Sequence, residues 1–214
     1  MNILAIDTVT ELCSVALFVD GRVTQRLTDL SNSHSRVLLP MINELLLEAA
    51  IELSDLDGIA FDRGPGSFTG LRIGAGVAQG LSFSSGVPLR GISSLAALAR
   101  RCEGNVVVAL DARMNQVYTA SFKVTNGNVV SLGAEQLIPP RELQIQDDTI
   151  PIGNGWRVYE ELIELTHEEI SRGDVNATPL ADDILALSIP QFERGEVSQF
   201  NHGLPVYIRD NVTG

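Results

Sequence analysis

Cysteine, basic residues, histidine and long apolar runs are all scarce in this 214-residue sequence. It contains two cysteines, Cys13 and Cys102, and this number does not suggest an oxidising compartment. Cys13 lies in an apolar run and is predicted to be buried. Cys102 follows two arginines, which allows a reactive thiol, although an inert surface thiol is favoured. No apolar run reaches membrane-spanning length, and residues 1–19 lack the basic start and unbroken apolar stretch of a signal peptide. These absences predict a cytoplasmic protein without membrane contact.

The shortage of basic residues argues against this chain as a nucleic-acid-binding protein. Lys and Arg total 15 against 27 Asp and Glu, which gives a formal net charge of −12. Surfaces that bind phosphate backbones are rich in Lys and Arg, so this chain is not predicted to be the main tRNA or DNA platform. The net charge does not exclude a local basic patch around Arg63, Arg72, Arg100, Arg101 and Arg113.

Histidine is too rare and too scattered for a recognisable metal site. His34, His167 and His202 form neither an H-x-x-x-H nor an H-E-x-x-H motif, so no metal ligands are predicted. No serine lies in a G-x-S-x-G nucleophile motif. The sequence therefore predicts no catalytic residues.

One pattern of a strand, an aspartate and a hairpin occurs twice. In the first copy an apolar run over residues 3–6 ends at Asp7, and strands on both sides of Asp20-Gly21 follow. In the second copy a strand over residues 106–111 ends at Asp111, and strands on both sides of Asn126-Gly127 follow. Further strands are predicted at 57–61, 89–92 and 149–152. Helices are predicted at 37–53, 69–84, 93–101, 156–165 and 180–193.

Two such halves predict an α/β protein with a two-lobed actin-like or hexokinase-like (ASKHA) fold, in which a duplicated mixed β-sheet is combined with helices. The expected boundaries are residues 1–102 for the N-terminal lobe and residues 103–214 for the C-terminal lobe, with a hinge near 102–105.

A glycine-rich loop over residues 63–70, RGPGSFTG, opens the second helix, which Thr69 is predicted to cap. Main-chain N–H groups at a helix start favour anions, so phosphate binding is one interpretation. No lysine follows the glycines, unlike in a P-loop, and a tight turn that packs the helix against the sheet is favoured.

The two strand-ending aspartates allow two interpretations as well. They could hold a metal–phosphate group, or each could cap its own turn, and the second interpretation is favoured. The candidate phosphate or nucleotide residues are Asp7, Thr8, Gly66, Ser67, Thr69 and Asp111.

The first two long helices carry unusual surfaces. Apolar residues cover about half of the circumference of the first helix, more than the roughly 100° stripe that one core needs. The second helix has small residues at intervals of four, which let another helix approach closely. Packing on the protein's own sheet and docking of a partner are equally compatible with these patterns.

Several short motifs occur in a fixed order: ILAIDT at 3–8, HS at 34–35 with LP at 39–40, RGPGSFTG-LRIG at 63–74, AQG at 78–80, LDAR at 110–113, GNGW at 153–156 and PVYIR at 205–209. This combination resembles the bacterial TsaB (YeaZ) family over almost the whole chain, and the 63–74 block is its most specific part. Asp62 departs from the pattern, because such proteins usually have a small residue there.

The resemblance implies a non-catalytic scaffold or activator in the threonylcarbamoylation of tRNA adenosine next to the anticodon. It implies pairing with a TsaD-type catalytic paralogue, joined by a TsaE-type ATPase, and only indirect contact with tRNA. ATP, ADP and metal would belong to those partners, and this chain would require no cofactor. TsaD-like proteins carry an H-x-x-x-H metal motif where this chain has Ser94 and Leu98, so the metal site is expected to be absent.

In the resembled family the heterodimer contact runs through the first two helices of the N-terminal lobe, and a homodimer through the same helices stays open. The predicted interface residues are Leu38, Leu39, Met41, Ile42, Leu45, Leu46, Ala49, Arg72, Gly74 and Ala78. Two competing hypotheses are an actin-like ATPase or kinase that uses Asp7, Thr8 and Asp111, and a zinc peptidase.

Overall fold

The computed structural model describes residues 1–29, 34–143, 148–159, 172–198 and 204–208. The chain divides into two compact units. The first unit comprises Met1–Ser94 and Pro179–Val206, and the second comprises Leu95–Thr178 and Tyr207–Gly214.

The first unit is built on a five-stranded mixed sheet with the order β3-β2-β1-β4-β5. Its strands are β1 (Ile3–Asp7), β2 (Cys13–Val19), β3 (Arg22–Thr28), β4 (Gly58–Gly64) and β5 (Leu89–Ser93). The first three strands are antiparallel, whereas β4 and β5 continue the sheet in parallel from β1. The predicted hairpin turn is confirmed, since Asp20 and Gly21 adopt φ values of 51° and 79°, the left-handed pair of a tight hairpin.

The α-helices of the described residues are α1 (His34–Glu48), α2 (Phe68–Ser85), α3 (Ser94–Ala99), α4 (Gly155–Val158) and α5 (Ala181–Glu193). The apolar faces of α1 and α2 form one core with the β1, β2 and β4 side chains that point the same way. Helix α5 also contacts this sheet, along β1, β2, β4 and β5. The predicted helix over 156–165 lies mostly outside the described residues.

Helix α1 begins earlier and ends earlier than its sequence pattern predicts. Pro40 lies inside the helix. After Glu48 the chain turns, with Ala50 in the left-handed region at φ 53°. The Ile51 N–H donates to the Leu46 carbonyl at 3.1 Å, and the Ala50 N–H donates to the Leu47 carbonyl at 3.1 Å. This Schellman pair of hydrogen bonds ends the helix five residues before the predicted position of Leu53.

The second unit repeats the strand plan of the first. Its strands are β6 (Gly104–Asp111), β7 (Val117–Thr125), β8 (Asn128–Ser131), β9 (Gln136–Ile138) and β10 (Thr149–Ile152). They run in the order β10-β6-β7-β8, with β9 also paired to β7. Strand β6 is antiparallel to β7 and parallel to β10, as β1 is antiparallel to β2 and parallel to β4. The predicted duplication of a mixed sheet with helices is therefore confirmed.

The predicted lobe boundaries, 1–102 and 103–214, are wrong in two respects. The first unit ends at Ser94, because Leu95, Leu98 and Ala99 of α3 belong to the core of the second unit. Residues 179–206 return to the first unit, because α5 packs on its sheet and the Ala181 N–H donates to the Ser14 hydroxyl at 2.8 Å.

Candidate functional site: the outer face of two helices

The glycine-rich loop packs against the turn that follows β1. The Ser67 N–H donates to the Val9 carbonyl at 2.8 Å, and the Thr8 hydroxyl donates to the Gly70 carbonyl at 2.7 Å. A Cβ atom on Gly66 would lie 2.6 Å from that of Val9, and one on Gly70 would collide with the Thr8 carbonyl. Glycine is required at both positions because two stretches of backbone touch there. This packing supports the tight-turn interpretation of the loop over phosphate binding.

Helix α2 is capped by Ser67 and not by the predicted Thr69. The Ser67 side chain accepts a hydrogen bond from the Gly70 N–H at 3.3 Å, as an N-cap serine does. Thr69 is exposed and lies inside the first turn. At the other end Gly86 takes a left-handed φ of 76°, which stops the helix.

Asp7 is sealed inside the first unit. Its side chain is 0% exposed, and Oδ1 accepts a hydrogen bond from the Val9 N–H at 3.0 Å. Within the part of the chain that the structure describes, Oδ2 has no hydrogen-bond partner. Burial raises the pKa of Asp7 well above its usual value, and the nearby carboxylates of Asp62 and Asp183 raise it further. A fully buried carboxyl group of this kind differs from the exposed carboxylate that would ligate Mg²⁺.

Ser94 and Leu98, which stand at the positions of the H-x-x-x-H motif, are structural residues of this fold. The buried Ser94 hydroxyl donates to Asp62 Oδ1 at 2.6 Å, and the same oxygen accepts from the Gly64 N–H at 2.8 Å. Leu98 is a core residue of the second unit. Among the described residues, no group of three or more His, Cys, Asp or Glu side chains could hold a metal ion.

Asp111, in the second unit, holds the turn between β6 and β7. Its Oδ1 accepts hydrogen bonds from the Arg113 N–H at 2.8 Å and the Tyr159 hydroxyl at 2.9 Å, and its Oδ2 lies 3.2 Å from the Arg113 guanidinium. Arg113, Met114 and Asn115 adopt φ values of 59°, 55° and 55°. Each non-glycine residue in this region costs roughly 1–2 kcal/mol. Asp111 thus caps its own turn, as the favoured interpretation predicts.

Neither cysteine has the environment of a reactive thiol. Burial, followed by the charge of Asp7, raises the pKa of Cys13 to about 12. The pKa of Cys102 is also raised, because the effect of burial exceeds the opposite effect of the neighbouring Arg101 charge. Thiolates are the reactive form, so both environments suppress reactivity.

Most predicted interface residues are core residues of the first unit, which corrects the sequence-based assignment. The buried ones pack between the helices and the sheet, and they are Leu38, Met41, Ile42, Leu45, Gly74 and Ala78. A Cβ atom on Gly74 would lie 2.5 Å from the Thr8 hydroxyl oxygen. Leu46 and Ala49 are half-buried, and only Leu39 and Arg72 are exposed. The apolar stripe of α1 therefore serves the protein's own sheet.

The exposed sides of α1 and α2 carry further apolar residues and open glycines, and we call this set of positions the outer face. It consists of Leu39 and Leu47 on α1 and of Phe68, Arg72, Gly76, Gly80 and Phe83 on α2. Leu47 and Phe83 are 70% and 71% exposed. The Arg72 guanidinium stacks 3.7 Å from the centre of the Phe68 ring. A Cβ atom on Gly76 or Gly80 would meet nothing within 4 Å, so the middle of this side of α2 is flat and open.

The interface residues predicted from the sequence do not include Leu47, Phe68, Gly76, Gly80 and Phe83. The sequence pattern that could have indicated these residues is the spacing of exposed positions along the helices, and not the apolar stripe. Leu39, Asn43 and Leu47 recur every four residues on α1, so they lie on one side of the helix.

Comparisons with known proteins agree with one another. A family model described as "TsaD: tRNA N6-adenosine threonylcarbamoyltransferase" matches residues 28–191. The chain is 36% identical to the tRNA threonylcarbamoyladenosine biosynthesis protein TsaB of Escherichia coli (strain K12), with 99% of this chain and 96% of that protein covered. It is also 36% identical to TsaB of Haemophilus influenzae, with 100% and 95% covered. The chain belongs to the TsaB family.

Solved structures support the same TsaB fold. YeaZ from Pseudomonas aeruginosa matches with a TM-score of 0.88 and 38% identity, over 96% of this chain and 99% of that chain. A second Pseudomonas aeruginosa structure, described as similar to peptidase YeaZ, matches with a TM-score of 0.89. The actin-like α/β fold predicted from the sequence is confirmed by this agreement. Among the described residues of this TsaB-family chain, no helix is long and apolar enough to cross a membrane.

Proposed function

We propose that this chain acts in the biosynthesis of threonylcarbamoyladenosine in tRNA as a non-catalytic, cytoplasmic subunit that pairs with a TsaD-type catalytic subunit. The family relationship supports the pathway, because the TsaB relatives are named for it. The observation that carries the pairing is the outer face, which combines large exposed apolar side chains with two open glycines on α2. Exposed apolar surface of this kind marks protein–protein contact sites.

The chemistry of the described residues supports the non-catalytic role. Ser94 and Leu98 replace the histidines expected of a metal-binding TsaD-type protein, and both are committed to the fold. Asp7 and Asp111, the candidates for an ATPase or kinase, are held by hydrogen bonds within their own units. ATP and metal would accordingly be supplied at the TsaD-type subunit and a TsaE-type ATPase, and tRNA would be reached through the complex.

The flat part of α2 offers a sharp test of the pairing surface. Gly76→Arg places a long side chain where a partner helix would approach, yet Gly76 has open space around it, so the fold should tolerate the change. We expect the affinity for a TsaD-type subunit of the same organism, measured by calorimetry, to fall at least about tenfold. Gly76→Ala is the matched control, because a methyl group barely alters the surface.

Gly133→Arg, at another glycine with open space around it, is a second control that adds the same charge and bulk outside the outer face. Thermal unfolding of each variant separates loss of binding from loss of folding. If Gly76→Arg keeps both its thermal stability and its full affinity, the outer face is not the pairing surface. If the chain forms a homodimer through the same face, Gly76→Arg should lower the molecular mass that the isolated chain shows in solution.

A separate measurement tests whether the isolated chain binds a nucleotide cofactor. Calorimetry of the isolated chain with Mg-ATP and Mg-ADP should show no saturable binding. Tight binding that Asp7→Asn removes, accompanied by hydrolysis, would contradict the proposal and favour the ATPase hypothesis.

A further inference from the structure

Helix α2 carries a single charged side chain, Arg72, along its 18 residues. Arg72 is exposed, and it lies four residues after Phe68 and four residues before Gly76. Residues at this spacing share one side of a helix, so Arg72 belongs to the same row as the open glycines of the outer face. A guanidinium is therefore part of the surface on which a partner would lie.

The Phe68 ring supports this guanidinium. The central carbon of the Arg72 guanidinium lies 3.7 Å from the centre of the Phe68 ring. Stacking on an aromatic ring occupies a flat face of the guanidinium, whereas its N–H groups point along the plane of the group, towards the edge of the stack. Arg72 is thus pre-oriented for the in-plane pair of hydrogen bonds that a carboxylate accepts.

Covering Arg72 with a partner has an electrostatic consequence. Removing a charge from water is costly unless an opposite charge and hydrogen bonds compensate for it. Helix α2 contains no acidic residue, so a second copy of this chain cannot supply a carboxylate from the same helix. The net charge of −12 disfavours a nucleic-acid phosphate as the counter-charge. These observations favour a carboxylate on a different protein.

We propose that Arg72 is a specificity-determining residue of the pairing surface, where its guanidinium forms an ion pair with an Asp or Glu carboxylate of the TsaD-type subunit, and that Phe68 is its positioning residue. This inference rests on the proposed function and names the charge that the outer face recognises. The open glycines allow close approach but fit a partner helix in several registers. One ion pair in the same row selects a single register, because every other register leaves a charge without its partner.

Removing the charge of Arg72 tests the ion pair. Arg72→Met keeps a long apolar side chain, and we expect it to weaken binding of the TsaD-type subunit of the same organism, measured by calorimetry, by about tenfold or more. Arg22→Met, on the exposed strand β3, is the matched control, because it removes the same charge outside the outer face. Thermal unfolding of both variants checks that the fold is retained. An unchanged affinity in Arg72→Met overturns the proposal.

Charge reversal identifies the carboxylate of the partner. Arg72→Glu should bind more weakly than Arg72→Met, because two like charges then meet. Each exposed Asp and Glu of the TsaD-type subunit is changed to Arg in turn, and one of these variants should bind Arg72→Glu more tightly than it binds the wild-type chain. If no such variant restores the binding of Arg72→Glu, the guanidinium has no carboxylate partner and the ion pair is refuted.

Phe68→Leu tests the positioning role. Leucine keeps an apolar side chain but removes the ring, so binding should weaken in the wild-type background and change little in the Arg72→Met background. Equal effects in the two backgrounds would show that Phe68 does not act through Arg72.

Gly76→Arg separates these results from the pairing surface itself. Loss of binding in Gly76→Arg with full binding in Arg72→Met leaves the proposed pairing surface standing and removes the ion pair. Full binding in both variants removes the outer face as a whole. Loss of binding in Arg72→Met alone keeps the ion pair and contradicts a close approach of the partner at Gly76.

Discussion

Asp7 is a single residue whose environment makes the stability of the protein depend on pH. It ends β1 without exposure to solvent, and Asp62 at the neighbouring position of β4 brings a second buried carboxyl group close to it. Because the folded state raises the pKa of Asp7 above its unfolded value, the folded state binds more protons there. The stability of the folded state is therefore greatest below the unfolded pKa and decreases as the pH rises through the folded pKa.

Asp7→Asn should remove this dependence. The amide keeps an oxygen for the Val9 N–H but cannot ionise, so we expect the variant to be more stable than the wild type at about pH 8, with a smaller advantage near pH 4. Urea unfolding across this pH range measures the difference. Asp20→Asn, in an exposed hairpin turn, is the control. A variant that is less stable than the wild type at high pH would show that the buried carboxyl group is not the cause.

Helix α2 contains glycines that serve opposite purposes on its two sides. Gly70 and Gly74 let the helix touch the end of β1, where a methyl group would meet Thr8. Gly76 and Gly80 have no such neighbour and, as interior glycines, weaken the helix by about 1 kcal/mol each relative to alanine. A cost without a structural benefit inside the unit is consistent with a role in contact with another molecule.

Two alanine substitutions in this helix should therefore have opposite signs. Gly74→Ala should lower the free energy of unfolding by about 1–3 kcal/mol, because the new methyl group collides with Thr8. Gly76→Ala should raise it by up to about 1 kcal/mol, because helix propensity improves without a collision. Chemical denaturation of both variants against the wild type gives the comparison. Destabilisation by both would mean that the side of α2 carrying Gly76 is also packed within the protein.

The periodicity of α1 predicted which residues form one apolar stripe, but it did not predict which surface this stripe contacts. Leu38, Met41, Ile42 and Leu45 form one stripe, and a stripe covers either a sheet of the same chain or a partner. The structure places it on the sheet. The strands, their hairpins and the small residues of α2 were predictable from local pattern and turn chemistry. The N-cap was not, because Ser67 and Thr69 can both cap and only the packing of the loop on Val9 selects Ser67.

At the scale of the whole molecule, the return of α5 to the first sheet is the feature that local sequence could not predict. The duplicated strand plan was visible because each copy carries an apolar run, an aspartate and a glycine-containing turn. The boundary was not, since residues 179–206 follow the second copy in sequence but pack against the first. Contacts between residues so far apart leave no local pattern.

Ile184→Ala tests this assignment. Ile184 is fully buried on α5, and its truncation should cost about 2–5 kcal/mol. Hydrogen exchange should then lose protection first in β1, β2 and β4, whose strands contact α5. Val108→Ala, in the core of the second unit, should instead lower protection in β6 and β7. Equal loss in both units after Ile184→Ala would indicate one cooperative structure without separate units.

The path of the chain through the two units also bears on how the protein is made. A ribosome releases residues in order, and domains commonly fold as their last residue emerges. The second unit is almost contiguous, so its sheet can close while the first still waits for α5. Until the segment ending at Glu193 emerges, apolar side chains on the sheet of the first unit remain uncovered, and a nascent chain in that state is a natural client for a chaperone.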